Sequence, residues 1–265
     1  MRPCHVVRVF TRGDDGGNHL GVINDITGLS DQTMQIIATE LAFSETVFID
    51  WRDEGDPRVR IFTPAMELPF AGHPLVGAAW VLSSIGPGTI DRMICGVGEI
   101  SFRTDGDLTW VDTPLVEHVE PADDAGEIAA AAGIPDPVRA WRAMMPLPYL
   151  VLDLGSAAAV SAAEPNIPGL SELGAPMTYI VGAEGADLRV RFFAPDAGVP
   201  EDPATGSAAS AYAAIRSHEG EYEGSLRIHQ GDEIGHPSTI YLEWAPGRAS
   251  LGGSVRRDEV RVLER

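Results

Sequence analysis

The 265-residue chain contains no lysine: all 19 of its basic side chains are arginines. That absence excludes Schiff-base chemistry, lysine-anchored pyridoxal phosphate and the lysine of a Walker-type phosphate loop. Cysteine is nearly as scarce. Cys4 and Cys95 show neither a CxxC pair nor a zinc-ligand spacing, which argues against a disulfide scaffold and a structural zinc site. Positive charge is short as well, because 39 Asp and Glu leave a formal net charge of -20. A surface that negative repels phosphate backbones, so neither nucleic acid nor an anionic membrane is an expected partner. No apolar run approaches the ~18 residues of a membrane span. The start, MRPCHVVRVF, lacks the apolar stretch and small-residue cleavage site of a secretion signal, so a cytoplasmic protein is the expectation.

Several motifs are missing too. The seven histidines are scattered, with no HExxH and no paired ligands at helical spacing, so no metal is expected. Gly96-Val97-Gly98 is not a full GxGxxG leading into a helix, which leaves dinucleotide binding without support. The absence of GxSxG weakens a serine hydrolase. No cofactor of any kind is expected.

What is present is a globular composition, 44% hydrophobic and 22% charged, long enough for about two compact units. The N-terminal part reads as short strands broken by turns, with GDDGGN a turn-rich loop. Residues 31–42 predict a helix, with Asp31 as a possible cap and Met34, Ile37, Ala38 and Leu41 at helical spacing. Thr46 to Trp51 and Pro57 to Thr63 predict strands joined by a DEGD turn. After Gly72-His73-Pro74 comes LVGAAWVLSSI, apolar nearly all round and ending at Gly86-Pro87-Gly88, which predicts a buried helix with Pro74 in its first turn. Residues 119–137 mix acid, alanine and proline and read as a linker carrying a short helix. Two lobes are expected, 1–118 and 119–265, with the last strand able to return to the first lobe.

The second half repeats the first. RIFTPAMELPFAGHPLVGAAWVL from Arg60 resembles RFFAPDAGVPEDPATGSAASAYAAI from Arg191. Arg60, Phe62, Pro64 and Pro69 match Arg191, Phe193, Pro195 and Pro200 at a constant offset of 131, and three extra residues then bring Gly72 opposite Gly206. Each copy is a strand, a Pro-rich loop and a Gly-led helix of small residues. If two such lobes face each other, the helix N-termini converge, each with free N–H groups and the positive end of a dipole. Glycine there admits a ligand close to the backbone, and a carboxylate held between the ends needs neither lysine nor metal.

Candidate acids and bases lie beside these helix starts. Asp202 precedes the second helix in EDPATGS, His73 opens the first and Ser207 the second. Taken singly, each reads equally as a loop, capping or packed residue. Glu45, in FSETVF, is harder to dismiss. Burial beside Phe43 and Phe48 would raise its pKa and make it a proton donor and acceptor near neutral pH.

Together these segments resemble the PhzF family of isomerases and epimerases from phenazine biosynthesis, which shares its fold with diaminopimelate epimerase and proline racemase. The resemblance runs from VFTRGDDGGNHLGVI through SETVFI and the two repeats to IHQGDEIGHPS, almost the whole chain. It implies an α+β fold of two pseudo-symmetric lobes, each an antiparallel barrel-like sheet around a central helix, with the site between them. By the same resemblance Glu45 is the proton-transferring acid, and His73 and Asp202 are its supporting catalytic residues. Asn18, Gly72, Gly206 and Ser207 fall at substrate-binding positions, and the glycines mark the anion-binding ends. The cysteine-dependent racemases of this fold carry thiols at these helix starts. Here those places read Gly72-His73 and Gly206-Ser207, so a two-thiol racemase is excluded. One departure is His19, where the family usually has proline after Gly-Asn. The function implied is a cofactor-independent isomerase of a small carboxylate-bearing, amino- and alkene-containing substrate, of the dihydro-hydroxyanthranilate type, in a homodimer. The alternatives are epimerisation at an amino-acid α-carbon and a non-catalytic small-molecule-binding protein.

Overall fold

The computed structural model describes residues 1–51, 55–85, 90–113, 118–145, 147–175 and 177–264. The first half runs β1 (Arg2–Val9), β2 (Asn18–Ile23), α1 (Asp31–Leu41), β3 (Glu45–Asp50), β4 (Arg58–Phe62), β5 (Glu67–Leu68), α2 (Gly72–Ile85), β6 (Arg92–Cys95), β7 (Gly98–Asp105) and β8 (Leu108–Thr113). The second begins β9 (His118–Pro121), α3 (Ala125–Ala132), β10 (Arg139–Met145), β11 (Leu147–Asp153), α4 (Ala157–Ala162), α5 (Ile167–Glu172) and β12 (Thr178–Glu184). It continues β13 (Asp187–Ala194), β14 (Val199–Asp202), α6 (Gly206–His218), β15 (Gly224–Gln230), β16 (Ser238–Ala245) and β17 (Arg248–Leu263). Part of the expected DEGD turn and the expected Gly-Pro-Gly stop after α2 lie outside the described residues.

The duplication is written into the strand pairing. In the first half β1–β2 is antiparallel, β2–β3 parallel, β3–β4 antiparallel, β4–β6 parallel and β6–β7 antiparallel. The second half repeats the series as β10–β11, β11–β12, β12–β13, β13–β15 and β15–β16. Each sheet is therefore mostly antiparallel with two parallel pairs, and each wraps one helix. β17 begins against β8 and β16 and ends against β1, so a single long strand stitches the two sheets.

The wrapped helices are α2 and α6. In α2 the buried set includes Leu75, Val76, Ala78, Ala79, Val81 and Leu82, more than one face's worth, as its all-round apolar sequence requires. α6 buries Ala208, Ala209, Ala211, Tyr212, Ala213 and Ile215 on the same principle. Among the described residues no helix is long and apolar enough to cross a membrane.

Local chemistry departs from the sequence reading in two places. Ser30, not Asp31, caps α1: its hydroxyl accepts the N–H of Thr33 at 3.1 Å, while Asp31 opens the helix and receives Arg60 at 2.6 Å. Residues 119–121, read as the edge of a linker, belong to β9, which pairs with β10, Val119 opposite Ala143 and Pro121 opposite Trp141. The acid-rich composition of that stretch conceals a strand exposed along its outer face, and α3 follows with Ile128 and Ala129 buried.

Candidate active site

Three chain segments bring polar groups to one place. The strand residues Thr46 to Ile49 are all buried, which leaves Glu45 at the mouth of β3, beside the parallel strand β2 at Leu20. His73 is the second residue of α2, and Asp202 ends β14 just before α6. His73 Nε2 lies 3.4 Å from Glu45 Oε2. Neither atom has another hydrogen-bond partner among the described residues. Asn18 joins the two halves: its Nδ2 donates to Asp202 Oδ1 at 2.8 Å and lies 3.4 Å from His73 Nδ1, while its Oδ1 accepts the Ser44 hydroxyl at 3.0 Å.

The two helix starts touch. A Cβ added at Gly72 would lie 2.8 Å from the Cα of Gly206, so only glycine permits this approach of backbone to backbone. Thr205, ahead of α6, makes no side-chain cap, and Ala71, ahead of α2, has no polar atom with which to make one. Among the described residues no side chain therefore closes either end, and both dipoles point their positive poles at the same spot.

Glu45, Asp202 and Ser207 line a cavity of about 70 Å³ with Leu68, Phe70 and Tyr149 among its walls. His73, Asn18 and the two glycines stand behind that surface. Larger hollows exist, such as one of about 360 Å³ beside Tyr222 and Trp244, but no carboxylates converge there. The apolar setting of Glu45 has a different source from the one expected. Phe48 packs under α1 with Cys4 and Met34, and the cavity wall is built instead by Leu68, Phe70 and Phe192 from elsewhere in the chain.

This setting governs the charges. Burial first, and then the neighbouring Asp202, push the Glu45 carboxyl up to about 8. Burial also raises Asp202, to about 6, against the hydrogen bonds it receives from Thr205 and Asn18. His73 is pushed down to about 3 by burial and is neutral at pH 7. Both carboxyls therefore stand above the ordinary carboxylate range, Glu45 the further of the two.

Sequence reasoning missed three members of the site. Tyr149 donates its hydroxyl to Ser207 Oγ at 2.8 Å, and burial pushes that phenol up to about 12. Thr205 donates to Asp202 Oδ2 at 2.6 Å, and the fully buried Gln230 holds Thr205 in turn. Tyr149 carries no motif. Thr205 and Gln230 lie inside EDPATGS and IHQGDEIG, so only their roles went unread.

Solved structures share this fold. This fold is shared with a hydroxyproline epimerase from Agrobacterium vitis, at a TM-score of 0.69 and 12% identity over 99% of this chain and 90% of that one. The likeness is greater to a PhzF-family protein from Enterococcus faecalis, with a TM-score of 0.82 and 22% identity over 99% of both chains. The chain belongs to the phenazine biosynthesis-like protein family (PhzC-PhzF), whose profile matches residues 7–259, and is an isomerase of that family. It is 35% identical over 253 residues to the trans-2,3-dihydro-3-hydroxyanthranilate isomerase of Pseudomonas chlororaphis, covering 92% of this chain and 90% of that one. An uncharacterised isomerase from Pasteurella multocida is 31% identical over 90% of this chain and 86% of its own length.

Proposed function

We propose that this isomerase moves a proton within a small unsaturated amino acid of the trans-2,3-dihydro-3-hydroxyanthranilate type, with Glu45 as the group that carries it. The observation behind this reading is the Glu45 carboxyl, raised to about 8, facing a cavity at two touching, uncapped helix starts. The N–H groups of those starts receive the substrate carboxylate. Glu45 as carboxylate takes a proton from a carbon made acidic by the adjacent double bond. The electron pair left behind shifts along the conjugated system, the proton on Glu45 exchanges with solvent, and Glu45 gives a proton back at a different carbon, so the substrate's composition is unchanged. His73 and Asp202 orient the amino and hydroxyl groups and stabilise charge that develops on the way. A cavity of about 70 Å³ is well below the roughly 300–1,000 Å³ of ordinary ligand pockets, so its walls part to admit the ring. The same reading carries a homodimer in the cytoplasm, and light scattering checks the former.

Epimerisation needs a second proton-transferring group on the opposite face. Asp202 is poorly suited to it, because both carboxylate oxygens already accept hydrogen bonds, from Asn18 and from Thr205. Turnover of trans-2,3-dihydro-3-hydroxyanthranilate in deuterated water, followed by NMR, tests the proposal. Deuterium at a carbon that belonged to a double bond in the substrate, with the double bonds shifted, is expected; deuterium only at a carbon already saturated, with the double bonds in place, would indicate epimerisation. Glu45→Gln should slow turnover by roughly 10²-fold or more, and a wild-type rate in that variant refutes the role.

A further inference from the structure

Gln230 ends β15 with no exposed surface, and its amide is oriented without ambiguity. Its Oε1 accepts the N–H of Thr205 at 3.1 Å, and its Nε2 donates to the carbonyl of Asp202 at 2.7 Å. The first partner can only give a proton and the second can only accept one. The other Nε2 hydrogen goes to Thr205 Oγ1 at 2.9 Å. Thr205 thereby receives a hydrogen bond on its hydroxyl oxygen, and its own proton points at Asp202 Oδ2, 2.6 Å away. The opposite oxygen, Oδ1, receives Asn18, whose Nδ2 also reaches the Ala204 carbonyl at 3.4 Å and whose Oδ1 accepts Ser44. Every side chain in hydrogen-bond contact with the Asp202 carboxylate is thus a donor.

We infer that Gln230, acting through Thr205, is a positioning residue that holds Asp202 as an acceptor-only carboxylate at the mouth of α6. The arrangement has two consequences. A protonated Asp202 finds no acceptor among these partners, so of the two carboxyls Glu45 is the one that keeps a proton. The Thr205 hydroxyl, committed to Asp202, does not cap α6, and the helix N–H groups remain open for an anion. The remaining titratable groups around Asp202 are Glu45 on β3, His73 on α2, reached through Asn18, and Tyr149 on β11. The inference rests on the proposed role of Glu45 only for its catalytic meaning; the hydrogen-bond assignment stands by itself.

Carboxyl-carbon NMR titration of the full chain, labelled at Asp and Glu side chains, tests it without turnover. Glu45→Gln and Asp202→Asn assign the two resonances. In Thr205→Val the Asp202 midpoint should rise by about one to two pH units, the loss expected for one hydrogen bond to a charged group, and the Glu45 midpoint should fall. Gln230→Met, which frees the Thr205 hydroxyl to rotate, should move both in the same directions, and Thr205→Ser should restore the wild-type curves. Unchanged midpoints in Thr205→Val and Gln230→Met would overturn the inference, as would a Thr205→Ser curve displaced as far as that of valine. Failure of Glu45 as the proton carrier would appear separately, as wild-type turnover in Glu45→Gln with these titrations intact.

Discussion

Replacing Glu45 by glutamine should make the protein more stable while it loses activity, and the gain should depend on pH. The folded state holds this carboxyl at about 8 against an ordinary 4.5, so between those values the folded chain keeps a proton that the unfolded chain releases. A group with a raised folded pKa supports folding fully below the unfolded value, and that support drains away as pH climbs through the folded value. At about 1.4 kcal/mol per pH unit the whole displacement corresponds to about 5 kcal/mol once the pH exceeds the folded value. The 15% of the Glu45 side chain that stays exposed and its electrostatic linkage to Asp202 reduce this to about 2 kcal/mol in practice. Glutamine has nearly the same shape and no charge to desolvate. Urea unfolding at pH 5, 7 and 9 should therefore show the variant close to wild type at the lowest pH and about 2 kcal/mol more stable at the highest. A difference that is flat across this range, or wild type gaining on the variant as pH rises, would refute the buried, proton-holding Glu45.

Other perturbations reach the remaining parts of the site. On the proposed role of Glu45 as the base, which requires its carboxylate form, kcat/KM should rise with pH through about 8 and then level; a rate falling across that range would mean that the acid form starts the reaction. Gly72→Ala puts a Cβ 2.8 Å from the Gly206 backbone, whereas Gly206→Ala meets first the Leu251 side-chain tip. The former should therefore be the worse, costing about 1–3 kcal/mol in chemical unfolding and most of the turnover. Arg191 is buried and bidentate to Glu201, at 2.8 Å through each nitrogen, with a further bond to the Ala163 carbonyl at 2.6 Å. Arg191→Met strands the Glu201 charge and should cost about 3–5 kcal/mol, read as a lower urea midpoint.

The parts of this site that were legible in the sequence are those where one short segment carries both the turn and the chemistry. AGHP and ATGS place a glycine, a helix start and a polar side chain within four residues, and SETVF marks an acid where an apolar strand begins. What escaped depends on register between distant segments. Tyr149 meets Ser207 because β11 lines the wall opposite α6, and no local pattern says so. The repeat itself was aligned imperfectly. Arg60 grips Glu67 through Nε and Nη2 at 2.7 and 2.6 Å and lies over Phe62, and Arg191 grips Glu201 and lies over Phe193 in the same way. Glu67 therefore answers Glu201, which places the three extra residues before Glu201 and makes Pro203, not Pro200, the counterpart of Pro69.

With that correction the two halves can be compared residue by residue at the cavity, and their differences bear on mechanism. Leu68 occupies the place of Asp202, and His73 that of Ser207. Thr178 opens β12 where Glu45 opens β3, fully buried and with its hydroxyl donated to the Ala175 carbonyl at 2.9 Å. A duplicated scaffold with matched acids would present two equivalent bases, one from each side, which is what inversion at a single carbon requires. Here the two halves share their strand order, their Arg–Glu clamps and their paired helix starts, but not their acids. One side supplies a carboxyl held above the ordinary carboxylate range, and the other a carboxylate with donors on both oxygens. Under the role proposed for Glu45, such a crevice favours lifting and returning a proton by one group along one face, which moves a double bond rather than inverting a centre.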